Sequence, residues 1–188
     1  MRIVAGRLRG RRLALPAGPD IRPTADRTRQ ALFDVLEHGR LRPDGGSAVV
    51  EAVVLDAFCG SGALGLEALS RGAAEAVFMD ASRAALDAAR ANAGRLQVSA
   101  TFVLADATNP PRARRPAGLV FLDPPYDRGL AAPALSALAA AGWLGPGAIV
   151  SLELGAREAR DLALPSSFER LDLRRYGRAH ILLLRAGS

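Results

Sequence analysis

The sequence predicts an α/β protein: a doubly wound, mostly parallel, seven-stranded sheet of Rossmann-like kind, with a small basic extension at its N-terminus. Three observations carry this. Short apolar runs and amphipathic runs alternate along residues 46–188, the pattern of parallel strands joined by crossover helices. A glycine-rich turn, Gly60-Ser61-Gly62, separates the first apolar run from the first amphipathic one. The last two apolar runs are joined by a short turn around "RRYGR", which suggests an antiparallel hairpin at one edge of the sheet.

The opening stretch "MRIVAGRLRGRRLALPAG" alternates apolar and basic residues, as a two-stranded ribbon would. Thr24 suits a helix N-cap with Asp26 in the first turn; Leu32, Val35 and Leu36 form the apolar stripe, and Gly39 stops the helix. "RPDGGS" reads as a linker, dividing a basic extension (1–45) from the main domain (46–188). Strands are expected at 52–58, 76–79, 101–104, 119–122, 148–154, 168–173 and 180–184. Helices are expected at 63–71, 82–93 (Ser82 as N-cap) and 130–141, with none evident between the third and fourth strands.

All 25 basic residues are arginine, and the formal charge is +6. Ten arginines and four acids fall in residues 1–42, so the excess lies there and the remainder is neutral. A basic arm of this kind fits a polyanion, with Arg7, Arg9, Arg11, Arg12 and Arg22 as candidate RNA contacts. The single Cys59 excludes an internal disulfide and suits a reducing cytoplasm. No apolar signal segment follows "GRLRGRR". The uncharged stretch 130–152 is long enough to test as a membrane span, but Pro133, Gly142, Gly145, Pro146 and Gly147 break it into helix, turn and strand.

Gly60, Gly62 and Gly65 have the spacing GxGxxG, and Asp80 follows Gly60 by twenty residues, where an acid can hold ribose hydroxyls. A nicotinamide dinucleotide and S-adenosylmethionine both fit that much. Asp56, four residues before Gly60, tilts the balance, because it would repel a pyrophosphate and suits a ligand carrying an ammonium and a sulfonium. Asp106 follows the third strand and could accept an adenine amino group, with Ala107 N–H nearby. Asp123 ends the fourth, so four acids close four successive strands, at the edge where open α/β sheets bind ligands.

"RPTADRTRQALF", "LDAFCGSGALGLEALSRGA", "FLDPPY" and the late "YG" together resemble the RsmD-type methyltransferases, which modify the exocyclic N2 of a guanine in bacterial 16S ribosomal RNA. The likeness covers nearly the whole chain, with the motifs in the family's order. It implies a class I fold using S-adenosylmethionine and releasing S-adenosylhomocysteine, with no metal. It places Asp56, Gly60 and Gly62 at the methionine moiety, Asp80 at the ribose and Asp106 at the adenine, with Phe58, Ser61, Ala81 and Ala107 also expected among the cofactor contacts. Asp123, Pro124, Pro125 and Tyr126 then meet the target base. The implied partner is 16S RNA or the assembling small subunit, and the protein is expected to be a cytoplasmic monomer. Cys59 stands where alanine is common, Ala25 replaces a threonine, and arginines replace the arm's usual lysines.

"DPPY" suits an exocyclic amine, whose lone pair is delocalised into the ring. Acceptors on its N–H bonds, the Asp123 carboxylate and Pro124 carbonyl, can rotate that lone pair toward an electrophilic methyl. Pro124 and Pro125 make the turn rigid, and Tyr126 can stack on an extruded base. Two other readings remain at this stage. A DNA adenine-N6 methyltransferase shares "DPPY", but only about 45 residues lie outside the core to read DNA sequence. A nicotinamide-dependent oxidoreductase or non-catalytic dinucleotide-binding module shares the glycine loop, and Asp56 argues against it. Glu67 is expected to be a buried packing or capping residue, and His38 and His180 to be structural.

Overall fold

The computed structural model describes residues 1–14, 26–177 and 179–187. Seven strands form one sheet in the order β3-β2-β1-β4-β5-β7-β6. They are β1 (Val53–Ala57), β2 (Glu75–Asp80), β3 (Thr101–Leu104), β4 (Ala117–Leu122), β5 (Leu144–Leu154), β6 (Phe168–Tyr176) and β7 (Ala179–Ala186). The first five pair with one another in parallel, and β7 runs antiparallel between β5 and β6. The doubly wound sheet with an edge hairpin is therefore as expected, and strand order reverses between β1 and β4, where such folds open a crevice.

The helices are α1 (Asp26–His38), α2 (Ala63–Ser70), α3 (Arg83–Leu96), α4 (Ala131–Ala140) and α5 (Ala156–Asp161). Ser82 caps α3, its hydroxyl accepting from Ala85 N–H at 3.3 Å. The short α5 had no expectation in the sequence. The Thr24 cap lies outside the described residues, as does Arg22.

Alternation along the strands divides the core into two layers. Val54, Phe78, Leu119 and Phe121 pack on one face with α1, α2 and α3; Leu55, Val120, Leu122 and Leu152 pack on the other with α4 and α5. Phe33 of α1 meets Phe121 with ring centroids 5.6 Å apart.

Residues 1–14 form the ribbon, with Arg2 and Arg12 bridged antiparallel. Ile3, Leu8 and Leu13 join the same apolar layer as α2 and α3. Glu67, fully buried on α2, is the clasp. It accepts Val4 N–H (2.7 Å), Ala5 N–H (2.9 Å) and Arg71 Nε (2.9 Å), and stands 3.4 Å from Arg29 Nε. A carboxylate carrying several charge-assisted donors is satisfied where a bare one would not be. No helix among the described residues is long and apolar enough to cross a membrane.

Candidate active site

The glycine loop is shaped by backbone that only certain residues tolerate. Gly60 has φ 53°, and a Cβ built there meets nothing within 4 Å, so its surface is open for a ligand. At Gly65 a Cβ would lie 2.4 Å from Phe78 Cε1; the missing side chain lets α2 sit against β2. Phe58, at φ 60°, holds the left-handed conformation that bulky residues avoid. Ser61 is buried, its carbonyl accepting from Asn92 Nδ2 at 3.0 Å; Asn92 also bonds Ala14, tying the loop to the arm.

Two acids build this loop. Asp80 Oδ2 accepts Gly60 N–H at 3.0 Å, while Oδ1 accepts Ser82 N–H at 2.8 Å. Asp56 is 2% exposed and accepts Gly65 N–H at 2.8 Å. Burial pushes the Asp56 carboxyl up to about 8 against the lowering effect of that bond, and Asp80 adds to the rise. Asp56 occupies a donor in the first turn of α2 that a phosphate would otherwise use, which disfavours a dinucleotide. The donor set suits a cation instead.

Asp106 is exposed at the end of β3, accepting from Thr108 N–H and Oγ1, both at 2.8 Å; Ala107 is buried and Ala81 exposed. Asp123 follows β4 beside buried Pro124 and exposed Pro125. Burial holds its carboxyl well above the ordinary carboxylate range, and the neighbouring Glu153 and Asp56 add to the rise. Tyr126, half-buried, donates its hydroxyl to Glu153 Oε1. Cys59 is buried, and burial with the Asp56 and Asp80 charges pushes its thiol up, so it packs as a neutral group.

Asp56, the glycine loop, Asp80, Asp123 and Tyr126 thus gather at the carboxyl ends of β1, β2 and β4. Sequence reasoning missed Glu153 and Asn92. A lone acid in the apolar run 148–154 was the available signal for Glu153.

Arg7, Arg9, Arg11 and Arg12 are exposed, but they lie elsewhere. Arg7 N–H donates to Ser70 O, at the last residue of α2, and Arg11 donates to Arg95 O near the end of α3. The ribbon's tip is therefore at the far end of α2 from the glycine loop, roughly 12 Å away at ~1.5 Å per residue.

The chain and its fold have known relatives. The family described as Conserved hypothetical protein 95 matches residues 1–185. The chain is similar to "Ribosomal RNA small subunit methyltransferase D" of Escherichia coli strain K12, 38% identical over 155 residues that cover 81% of this chain and 74% of the relative. It is 33% identical to the protein of that name from Haemophilus influenzae over 159 residues, 81% of this chain and 78% of the relative. The solved structure of Escherichia coli yhhF superposes with TM-score 0.83 at 32% identity, covering 100% of this chain and 98% of that one. With its glycine loop, strand-end acids and edge hairpin in one sheet, the chain belongs to the Conserved hypothetical protein 95 family, the RsmD family, and has the fold of class I methyltransferases.

Proposed function

We propose that the protein transfers a methyl group from S-adenosylmethionine to the exocyclic N2 of a guanine in 16S ribosomal RNA. The observation that carries this is the juxtaposition of Asp123 and its rigid proline turn with Asp56 and the glycine loop at the β1/β4 switch point. The relatives' names support an rRNA substrate.

When bound, the cofactor supplies an electrophilic methyl on a sulfonium. Asp80 holds the loop through Gly60 N–H and keeps acceptor capacity for ribose hydroxyls. Asp56 offers a buried negative charge to the cationic end, and Asp106 stands where an adenine amine would donate. Asp123 and the Pro124 carbonyl accept the N–H bonds of the target amine and orient its lone pair. As nitrogen gains the methyl, it loses a proton, which Asp123 takes and passes to water. Tyr126 packs on the base plane. Most of the acceleration comes from holding two reactants in line. We place the RNA-contacting extension in residues 1–45, with its arginines acting at a distance from the crevice.

The test is methylation with labelled cofactor on 16S RNA, naked and as assembled small subunits, with product nucleosides identified. N2-methylguanosine in either substrate supports the reading, and a different methylated nucleoside or no transfer to either substrate removes it.

A further inference from the structure

Asp123 has a neighbour whose chemistry bears on which base the crevice accepts. Leu122 and Leu152 are the last register pair of β4 and β5, so Asp123 and Glu153 follow side by side. They lie two residues beyond the pair Phe121 and Ser151, and Phe121 pairs with Asp56 on β1. Alternation therefore turns all three acids to one face of the sheet. Strands are about 4.8 Å apart, so Asp123 and Glu153 present two carboxyl groups to one small space. Glu153 is close enough to Asp123 to add to the rise of its carboxyl.

The Tyr126 hydroxyl donates to Glu153 Oε1, fixing the ring and the carboxylate together. An ionised carboxylate has about four acceptor positions on two oxygens, so it can hold several donors at once. The base edges differ in what they offer such a pair. Guanine carries N1–H and the N2 amine side by side, two adjacent donors. Adenine and cytosine set their amine beside a ring nitrogen lone pair, which a second carboxylate would repel. Two donors entering between two acids also relieve the repulsion between them.

Resting on the reading of the site as a guanine-N2 methyltransferase, we propose that Glu153 is its specificity-determining residue, accepting guanine N1–H while Asp123 and the Pro124 carbonyl hold the N2 amine. Tyr126 is the strut that keeps Glu153 in place.

The experiment uses the full chain and an RNA carrying either guanine or 2-aminopurine at the position the wild-type protein methylates. 2-Aminopurine keeps the amine and replaces N1–H with a lone pair. The wild type should prefer guanine, and E153Q, whose amide can turn a donor toward that lone pair, should lose roughly tenfold to a hundredfold of the preference. E153Q keeps an acceptor for the Tyr126 hydroxyl, and its cofactor affinity by calorimetry should be unchanged. Y126F should lower kcat/KM on both RNAs while keeping the guanine preference. An unchanged preference in E153Q, with cofactor binding intact, overturns the proposal and leaves Glu153 a tether for Tyr126. A wild-type product other than N2-methylguanosine defeats the underlying reading, a failure visible before any variant is made.

Discussion

The charge of the proposed cofactor can be tested at Asp56 without any RNA. The carboxyl is buried, accepts one bond from Gly65 N–H, and is pushed up to about 8. At pH 7 such a group is about nine-tenths protonated. A ligand bringing an ammonium and a sulfonium to this end of the sheet favours the ionised form. S-adenosylmethionine should therefore release close to one proton on binding at pH 7, and its affinity should rise by up to about tenfold per pH unit from roughly pH 6 to 7.5. Titration calorimetry in buffers of different ionisation enthalpy counts the proton from the slope of observed heat. D56N should remove most of the release. D123N is run beside it, because Asp123 is also held high and would add to the count. S-adenosylhomocysteine lacks the sulfonium charge and should release less. Equal proton counts in wild type and D56N, or an affinity flat across this range, would refute the placement of Asp56 beside the cofactor's charge.

The same shift fixes a sign for the unliganded protein. The folded state keeps the Asp56 proton that the unfolded chain, at an ordinary 3.8, gives up earlier. Its contribution to stability is full below about pH 4 and is lost as pH rises through about 8, the reverse of a salt-bridged carboxylate.

Asp80→Ala should weaken cofactor binding by about 1.5–3 kcal/mol by calorimetry, since it removes both the proposed ribose acceptor and the bond that shapes Gly60; unchanged affinity would take Asp80 out of the site. Asp123→Ala should abolish most methyl transfer with little change in cofactor affinity, and parallel losses of both would move Asp123 into the cofactor pocket. Glu67→Ala leaves two arginines and two backbone donors without their buried partner, and should cost about 3–5 kcal/mol in urea unfolding. A loss below about 1 kcal/mol would mean the arm is not clasped through Glu67. Replacing Arg7, Arg9, Arg11 and Arg12 with glutamine should flatten the salt dependence of RNA binding by roughly three units while sparing cofactor affinity. An unchanged slope would make the ribbon a solvated face.

The parts of the site that sequence revealed are those whose chemistry is local. The glycine loop joins one strand to one helix; Asp80, Asp106 and Asp123 announce themselves by closing an apolar run, and Asp56 by interrupting one, one residue short of the end of β1. Glu153 did not, because its meaning depends on Tyr126, 27 residues away, and on the β4–β5 register that puts it beside Asp123. The six residues of α5 are too few to show a helical period. Glu67 looked like a packing residue, and its role as clasp needed the ribbon, 62 and 63 residues away, to be in place.

The charge count was legible, but its position was not. Counting placed the +6 excess in the first 42 residues; only the bonds from the ribbon to Ser70 put its tip at the far end of α2 from the glycine loop. That separation bears on how RNA would be handled. Asp56, Asp80, Asp123 and Glu153 line the carboxyl edge with carboxyl groups, which supply no positive charge to hold a phosphate. The arginines at the ribbon's tip present positive charge to phosphate away from that edge. In the proposed reaction the two ends then act on different parts of one nucleic acid: the ribbon takes the backbone, and the crevice admits a neutral base extruded from it. A crevice lined with arginine would hold the backbone itself and block the amine from reaching Asp123. The split of charge along α2 thus supports a base, in place of a phosphate, as the group that enters.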